Sequence, residues 1–339
     1  MGYLYFEYLV WKKFKQKLHH GDYDIVHRLS PMSPTTPSFL AKRCPIPFIL
    51  GPILGGLKWP KQFRAEMHRE GEWLNYFRPA HRWLPFYQST YQNSDAILAA
   101  YSHTISDIPN YALNKVIELS EGGIWNKDFP PRTKTSEKKK KILFVGRMVL
   151  FKQPELLIQC FIQSKKLQQH ELIMVGDGPE FDRLQYLVEK HKLQDIIHLI
   201  GNVSFEKVKH LMYESDIFAF PSIREQGGGV ITLASMCQLP SVVIDYGGPT
   251  TRVINNGGIK LPMADAETLT QEYINTLEEL VDQPEKLKEM GSKAREFTGQ
   301  FYDWNTKANK TLEIYQWALG NRTEKPIFWD EPTAPQPKP

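Results

Sequence analysis

Cysteine is scarce. The 339 residues carry three, Cys44, Cys160 and Cys237, far apart and odd in number. None has a second cysteine or a histidine at metal-ligand spacing, which argues against a disulfide scaffold or a zinc module and fits reduced thiols in the cytoplasm. Long apolar runs are lacking too. Nothing reaches the roughly 20 unbroken apolar residues of a membrane-spanning helix, so any membrane association is expected to be peripheral, at the inner face. The opening stretch mixes Tyr3, Leu4, Phe6, Leu9, Val10 and Trp11 with Lys12, Lys13, Lys15 and Lys17, without the cleavable apolar segment of a secretion signal. An excess of one charge is also missing. The chain has 42 basic and 38 acidic residues, a net charge of +4, and no concentrated basic face, so nucleic acid is not expected as a partner. Lys138 to Lys141 form the one dense basic run and read as a solvated linker.

What is present is the composition of a globular protein, 41% hydrophobic and 24% charged, at a length that favours two α/β domains. Residues 1–20 pattern as an amphipathic helix, packed on a sheet in preference to docking on a membrane through its aromatic face. Short apolar runs at 24–27, 47–50, 96–99 and 115–119 suit buried parallel strands. A polar stretch with two prolines at 130–141 reads as a linker. Beyond it, strands at 142–145, 171–175, 197–199, 217–219 and 241–244 alternate with helical segments, the rhythm of a doubly wound parallel sheet. The expected organisation is a first domain over 1–129, the linker, a second domain over 142–300, a helix over 301–320 and a proline-rich, disordered tail over 321–339.

In open α/β sheets ligands bind beyond the carboxyl ends of the strands. The unusual residues of the second half collect at those ends. Gly146-Arg147 follows one strand directly, with Lys152 at the entrance to the next helix. An arginine fork and a lysine point charge together can neutralise a diphosphate, although two surface cations would look the same. After another strand comes Pro221-Ser222-Ile223-Arg224-Glu225-Gln226-Gly227-Gly228-Gly229-Val230. Its glycines let the backbone approach a ligand, and the helix start at Gly228, Gly229 and Val230 favours phosphate; a flexible turn is the plainer alternative. Gly176-Asp177-Gly178-Pro179 and Asp245-Tyr246-Gly247-Gly248-Pro249 are two more glycine-rich strand exits. Several on one sheet edge exceed what chain reversal requires.

These motifs, in this order, resemble the retaining glycosyltransferases of family four, glycosyl transferases group 1, which have the two-domain GT-B fold. The resemblance runs through Phe144-Val145-Gly146-Arg147 with Lys152, Val175 to Pro179, Pro221-Ser222 with Glu225 and the glycines, and Asp245 to Pro249. It implies that Arg147 and Lys152 bind the diphosphate of a nucleotide-sugar donor, that Glu225 contacts the donor sugar, and that Gly146, Gly227, Gly228, Gly229 and Val230 line the site. It also implies transfer with retention to a saccharide or lipid-linked acceptor, as in surface-polysaccharide assembly, without metal or other cofactor. The amino-terminal half is similar to the acceptor domain of a bacterial subgroup through 24–27, Gly51 to Gly56 with Trp59-Pro60, and Glu121-Gly122-Gly123-Ile124. That domain type usually has a further first strand and glycine loop, about 60–90 residues by ordinary domain size.

The sequence departs from the pattern in two places. Where the family has a second glutamate that grips the nucleotide ribose, eight positions after the first, this chain has Leu233, which cannot accept those hydrogen bonds. Where many relatives carry a cleft histidine after the second strand, the chain continues with Gly51 and Pro52. His27, at another strand end, reads as a packed histidine, and Glu66, Glu70 and Glu72 read as surface charges. Leu233 and the short amino-terminal half leave one alternative, a shortened homologue that binds nucleotide sugar or a partner without turnover; a further one, a nucleotide-sugar epimerase, follows from the same architecture supporting more than one reaction.

Overall fold

The computed structural model describes residues 2–72, 80–133 and 137–328. Met1, residues 134–136 of the stretch read as a linker and residues 329–339 of the stretch read as a tail lie outside the described residues. The chain divides into two units. Met1–Leu57, Trp73–Gly123 and Trp304–Pro339 form the first, and Lys58–Glu72 with Ile124–Asp303 form the second. The chain thus passes into the second unit at residue 124, ahead of the composition break at 130–141.

The first unit is a four-stranded parallel sheet in the order β1 (Val26–Arg28), β2 (Phe48–Ile53), β3 (Ala96–Ala99), β4 (Val116–Glu118). All four residues of β3 are buried, the continuous apolar pattern of a parallel strand covered on both faces. The helix Gly2–His20 is tied to this unit by a buried carboxylate. Glu7 accepts hydrogen bonds from the Ser38 hydroxyl and from the N–H groups of Phe39 and Leu40 at 2.6–3.1 Å, with the Arg28 guanidinium 3.7 Å away. Val10 and Trp11 pack against the core, whereas Tyr5, Phe6, Tyr8 and Leu9 stay exposed. Ile314 of the helix Trp304–Ala318 is also buried. Residues 321–328, within the stretch read as a tail, lie against the same unit. Arg322 pairs with Glu313 at 3.0 Å and Phe328 is buried.

The second unit is a six-stranded parallel sheet of β5 (Lys141–Val145), β6 (Glu171–Val175), β7 (Ile197–Leu199), β8 (Ile217–Phe220), β9 (Ser241–Ile244) and β10 (Gly258–Leu261). Its order is β10-β9-β8-β5-β6-β7. The chain therefore runs outward from β5 to β7 and returns on the other side of β5 as β8, so the winding reverses between β5 and β8. β10 has no counterpart among the sequence-predicted strands. Only Leu261 of its four residues is buried, so an edge strand of this kind leaves little apolar signal. The helix Pro154–Gln163, started by Pro154, buries Leu156, Leu157, Ile158, Cys160 and Phe161. Proline in a first helical turn costs no backbone hydrogen bond.

Candidate active site

A reversal of winding opens a crevice at the carboxyl ends of the two strands that flank it. In the second unit those strands are β5 and β8. Two contacts stitch their exits together: the Phe151 carbonyl accepts the Ile223 N–H at 2.9 Å and the Ser222 hydroxyl at 3.3 Å. This explains Pro221-Ser222, since Ser222 is fully buried at the joint. The exits of β5 and β6 are equally close. Met148 N–H donates to the Asp177 carbonyl at 2.9 Å, and Gly176, at a φ of +127°, lies where a Cβ would sit 1.9 Å from the Gly146 carbonyl oxygen.

Lys152 ends a short 3-10 turn, Leu150–Lys152, just before the helix Pro154–Gln163. Its ammonium forms an ion pair across the crevice with the Glu225 carboxylate, both side chains mostly buried. The ammonium also lies 4.7 Å from the Phe220 ring centre and 5.7 Å from that of Phe151. Arg147 is exposed, its guanidinium 5.6 Å from the same Phe151 ring. One aromatic side chain therefore flanks both cations, which favours their approach through the ring quadrupole. Lysine offers three donors, so Lys152 can hold Glu225 and an anionic oxygen together.

The other Glu225 oxygen accepts the N–H groups of Gly227 (3.3 Å) and Gly228 (2.9 Å), and the Glu225 backbone carbonyl accepts Gly248 N–H at 2.8 Å. Gly228 has a φ of +69° and precedes the helix Gly229–Met236, a left-handed conformation that glycine adopts without penalty. The N–H groups of Gly229 and Val230 lie in the first helical turn, where helix geometry provides no acceptor and the dipole favours an anion. Leu233 shares their helix face. Gly229, Val230 and Leu233 are the accessible residues of this helix, and the other five are buried.

The structure thus brings Arg147, Lys152, Glu225 and the start of the Gly229–Met236 helix to one crevice. Gly146, Gly227 and Gly228 direct their N–H groups to the protein itself: Gly146 N–H is taken by the Val175 carbonyl at 3.0 Å, and the N–H groups of Gly227 and Gly228 by Glu225. Sequence reasoning missed Arg252. It is 3% exposed, its guanidinium donates to the Gly227 carbonyl and the Thr232 hydroxyl, and it lies 4.8 Å from the Tyr302 ring centre. Nothing in its spacing marks an arginine that will be buried beneath a glycine loop.

Glu70 and Glu72 correct the reading as plain surface charges. Glu70 accepts the Leu150 N–H at 3.0 Å and Glu72 pairs with Arg224 at 2.9 Å, because Lys58–Glu72 folds against the second unit. A hollow of about 900 Å³ opens beside the crevice, lined by Glu66, Arg69, Gln153, Glu155, Glu180 and Arg183 among others; neither Lys152 nor Glu225 lines it. Arg69 and Arg183 in its wall already pair with Glu180, and Arg183 with Glu155 as well. In the first unit, His27 is packed as expected. Its Nδ1 meets the Tyr315 hydroxyl and its Nε2 the Gly51 carbonyl, each at 2.7 Å. A carbonyl can only accept, so Nε2 carries the proton and Tyr315 donates to Nδ1. Burial lowers the His27 pKa against the opposing effect of the Gly51 carbonyl. Among the described residues, no group of three or more His, Cys, Asp or Glu side chains is placed to hold a metal ion.

Residues 126–297 match the family model of glycosyl transferases group 1. The chain belongs to this family. It is 29% identical over 213 residues to the phosphatidylinositol N-acetylglucosaminyltransferase GPI3 subunit of Saccharomyces cerevisiae (strain YJM789), covering 59% of this chain and 45% of that protein. To the D-inositol 3-phosphate glycosyltransferase of Kineococcus radiotolerans it is 27% identical over 200 residues, covering 53% of this chain and 45% of the relative. The chain thus spans about half the length of the curated relatives it matches. A glycosyltransferase from Rickettsia africae superposes with a TM-score of 0.65 at 20% identity, covering 94% of this chain and 82% of that one. Anabaena Alr3699/HepE in complex with UDP gives 0.65 at 16%, covering 89% and 81%. The fold is that of the GT-B glycosyltransferases, with two parallel α/β sheets.

Proposed function

We propose that this glycosyl transferases group 1 member moves a hexose-type sugar from a nucleotide diphosphate donor to a hydroxyl of a saccharide or lipid-linked acceptor, with retention of configuration. The observation that carries this reading is the Lys152–Glu225 pair at the point where the second sheet reverses its winding. Lys152 and Arg147 would hold the diphosphate, together with the first-turn N–H groups of Gly229 and Val230. Glu225 would accept hydrogen bonds from the sugar hydroxyls. As the bond between the anomeric carbon and the diphosphate oxygen breaks, negative charge grows on that oxygen, where the two cations stabilise it most. The acceptor oxygen bonds to the anomeric carbon and its proton passes to the departing diphosphate. This step uses no metal.

The relatives act on phosphatidylinositol and on D-inositol 3-phosphate by name, and we extend the acceptor class to lipid-linked saccharides of surface-polysaccharide assembly. Among the described residues no helix is long and apolar enough to cross a membrane. A peripheral site at the inner membrane face, reached through the exposed Tyr5, Phe6, Tyr8 and Leu9 beside Lys12 and Lys13, fits such an acceptor. Leu233 supports one second reading, donor binding without turnover. Incubation with a panel of nucleotide sugars and acceptors separates the two. A new glycoside, its anomeric configuration read by NMR, supports transfer. Binding without a product supports the second reading, and epimerised donor would contradict both.

A further inference from the structure

The segment Lys58–Glu72 lies across the carboxyl ends of the second sheet and touches four strand exits. The Tyr246 hydroxyl, after β9, donates to the Lys58 carbonyl at 2.9 Å. Trp59 meets Phe151, after β5, edge to face at 6.3 Å, and Glu70 accepts the Leu150 N–H there. Arg69 reaches Glu180, after β6, at 4.0 Å. After β8, the Arg224 guanidinium pairs with Glu72 at 2.9 Å and lies 5.3 Å from the Trp59 ring centre, while Trp59 Nε1 donates to the same carboxylate at 3.0 Å. Trp59, Glu72 and Arg224 therefore form a closed set. A planar guanidinium can stack and pair at once, which an ammonium cannot. The Arg224 side chain is only 12% exposed, so this pair differs from the solvated surface pairs that contribute almost nothing.

Arg224 immediately precedes Glu225. The inner side of their turn is held by Lys152, Gly248 and the Gly227 and Gly228 N–H groups, and its outer side by Glu72 and Trp59. We infer that Glu72 and Trp59 are positioning residues of the site: by clamping Arg224 they fix the turn from which Glu225 reaches the donor sugar. The inference rests on the nucleotide-sugar reading and deepens it, because it gives a segment outside the matched residues 126–297 a share in sugar recognition. Releasing Arg224 should disturb the sugar contact of Glu225 and leave the diphosphate contacts of Lys152, Gly229 and Val230 in place.

The test is calorimetric titration of the full chain with UDP and UDP-glucose, and with GDP and GDP-mannose, comparing wild type with Glu72→Gln. The expected result is that Glu72→Gln weakens the nucleotide sugar about fivefold to tenfold, the usual coupling within one ion-pair network, with nucleoside diphosphate affinity unchanged. Arg224→Lys, which keeps the charge but cannot stack on Trp59 and pair with Glu72 at once, should show the same selective loss, and it decides the matter if Glu72→Gln unfolds. Equal weakening of sugar and sugar-free nucleotide, or no change in either, would overturn the inference. A wild type that binds neither nucleotide sugars nor nucleoside diphosphates would instead refute the donor-site reading itself, and the inference with it.

Discussion

Leu233 decides most at the scale of single residues. It lies on the accessible face of the Gly229–Met236 helix with Gly229 and Val230, where a carboxylate would reach the ligand of the first-turn N–H groups. Leu233→Glu is therefore expected to tighten nucleoside diphosphate binding by about 1.5 kcal/mol, roughly tenfold, the typical contribution of a charged hydrogen-bond acceptor. Calorimetry of the variant against wild type checks this, and unchanged or weaker binding would show that this helix face does not meet the ribose. The candidate-site residues Lys152 and Glu225 were legible in the sequence because they fall in the loops that leave two apolar strands, Lys141–Val145 and Ile217–Phe220. Arg252, Glu72 and Trp59 were not legible. Their roles depend on burial and on a distant segment folding back, neither of which has a sequence period.

Among the elements, what matters is how closely the strand exits touch. Gly176 packs onto the Gly146 carbonyl from a φ of +127°, so an alanine there must both strain its backbone and push two loops apart. Gly176→Ala is expected to cost about 2 kcal/mol or more, seen as a lower thermal unfolding midpoint, and an unchanged midpoint would mean that the two exits need not meet. Runs such as Ile217–Phe220 and Ser241–Ile244 were legible as strands because every residue is buried. Gly258–Leu261 was not, because a sheet edge covers little of it. The strap Lys58–Glu72 looked like part of the first half, since neither its few buried apolar residues, Phe63 and Met67, nor its polar contacts name the sheet they pack against.

For the whole molecule, the two-sheet α/β organisation followed from alternating strand and helix patterns, whereas the membership of segments remote in sequence did not, because long-range contacts determine it. Stability against acid is also a property of the whole chain. Burial lowers the pKa of His27 and of His170, whose Nδ1 accepts the Lys140 N–H at 3.1 Å. The unfolded chain thus binds more protons than the folded one below the ordinary histidine pKa of about 6.5. Stability is therefore expected to fall as pH drops through that value and to be insensitive to these groups above it. Thermal melts between pH 7.5 and 5 should show this slope, shallower in His27→Gln; an equal slope in both would exclude His27 as a contributor. The site itself is tested most directly by titrating nucleotide sugars into wild type and Lys152→Met. The expected result is saturable binding by wild type, weakened about tenfold or more when the crevice cation is removed. Equal affinity in the two proteins would contradict the placement of the donor diphosphate between β5 and β8.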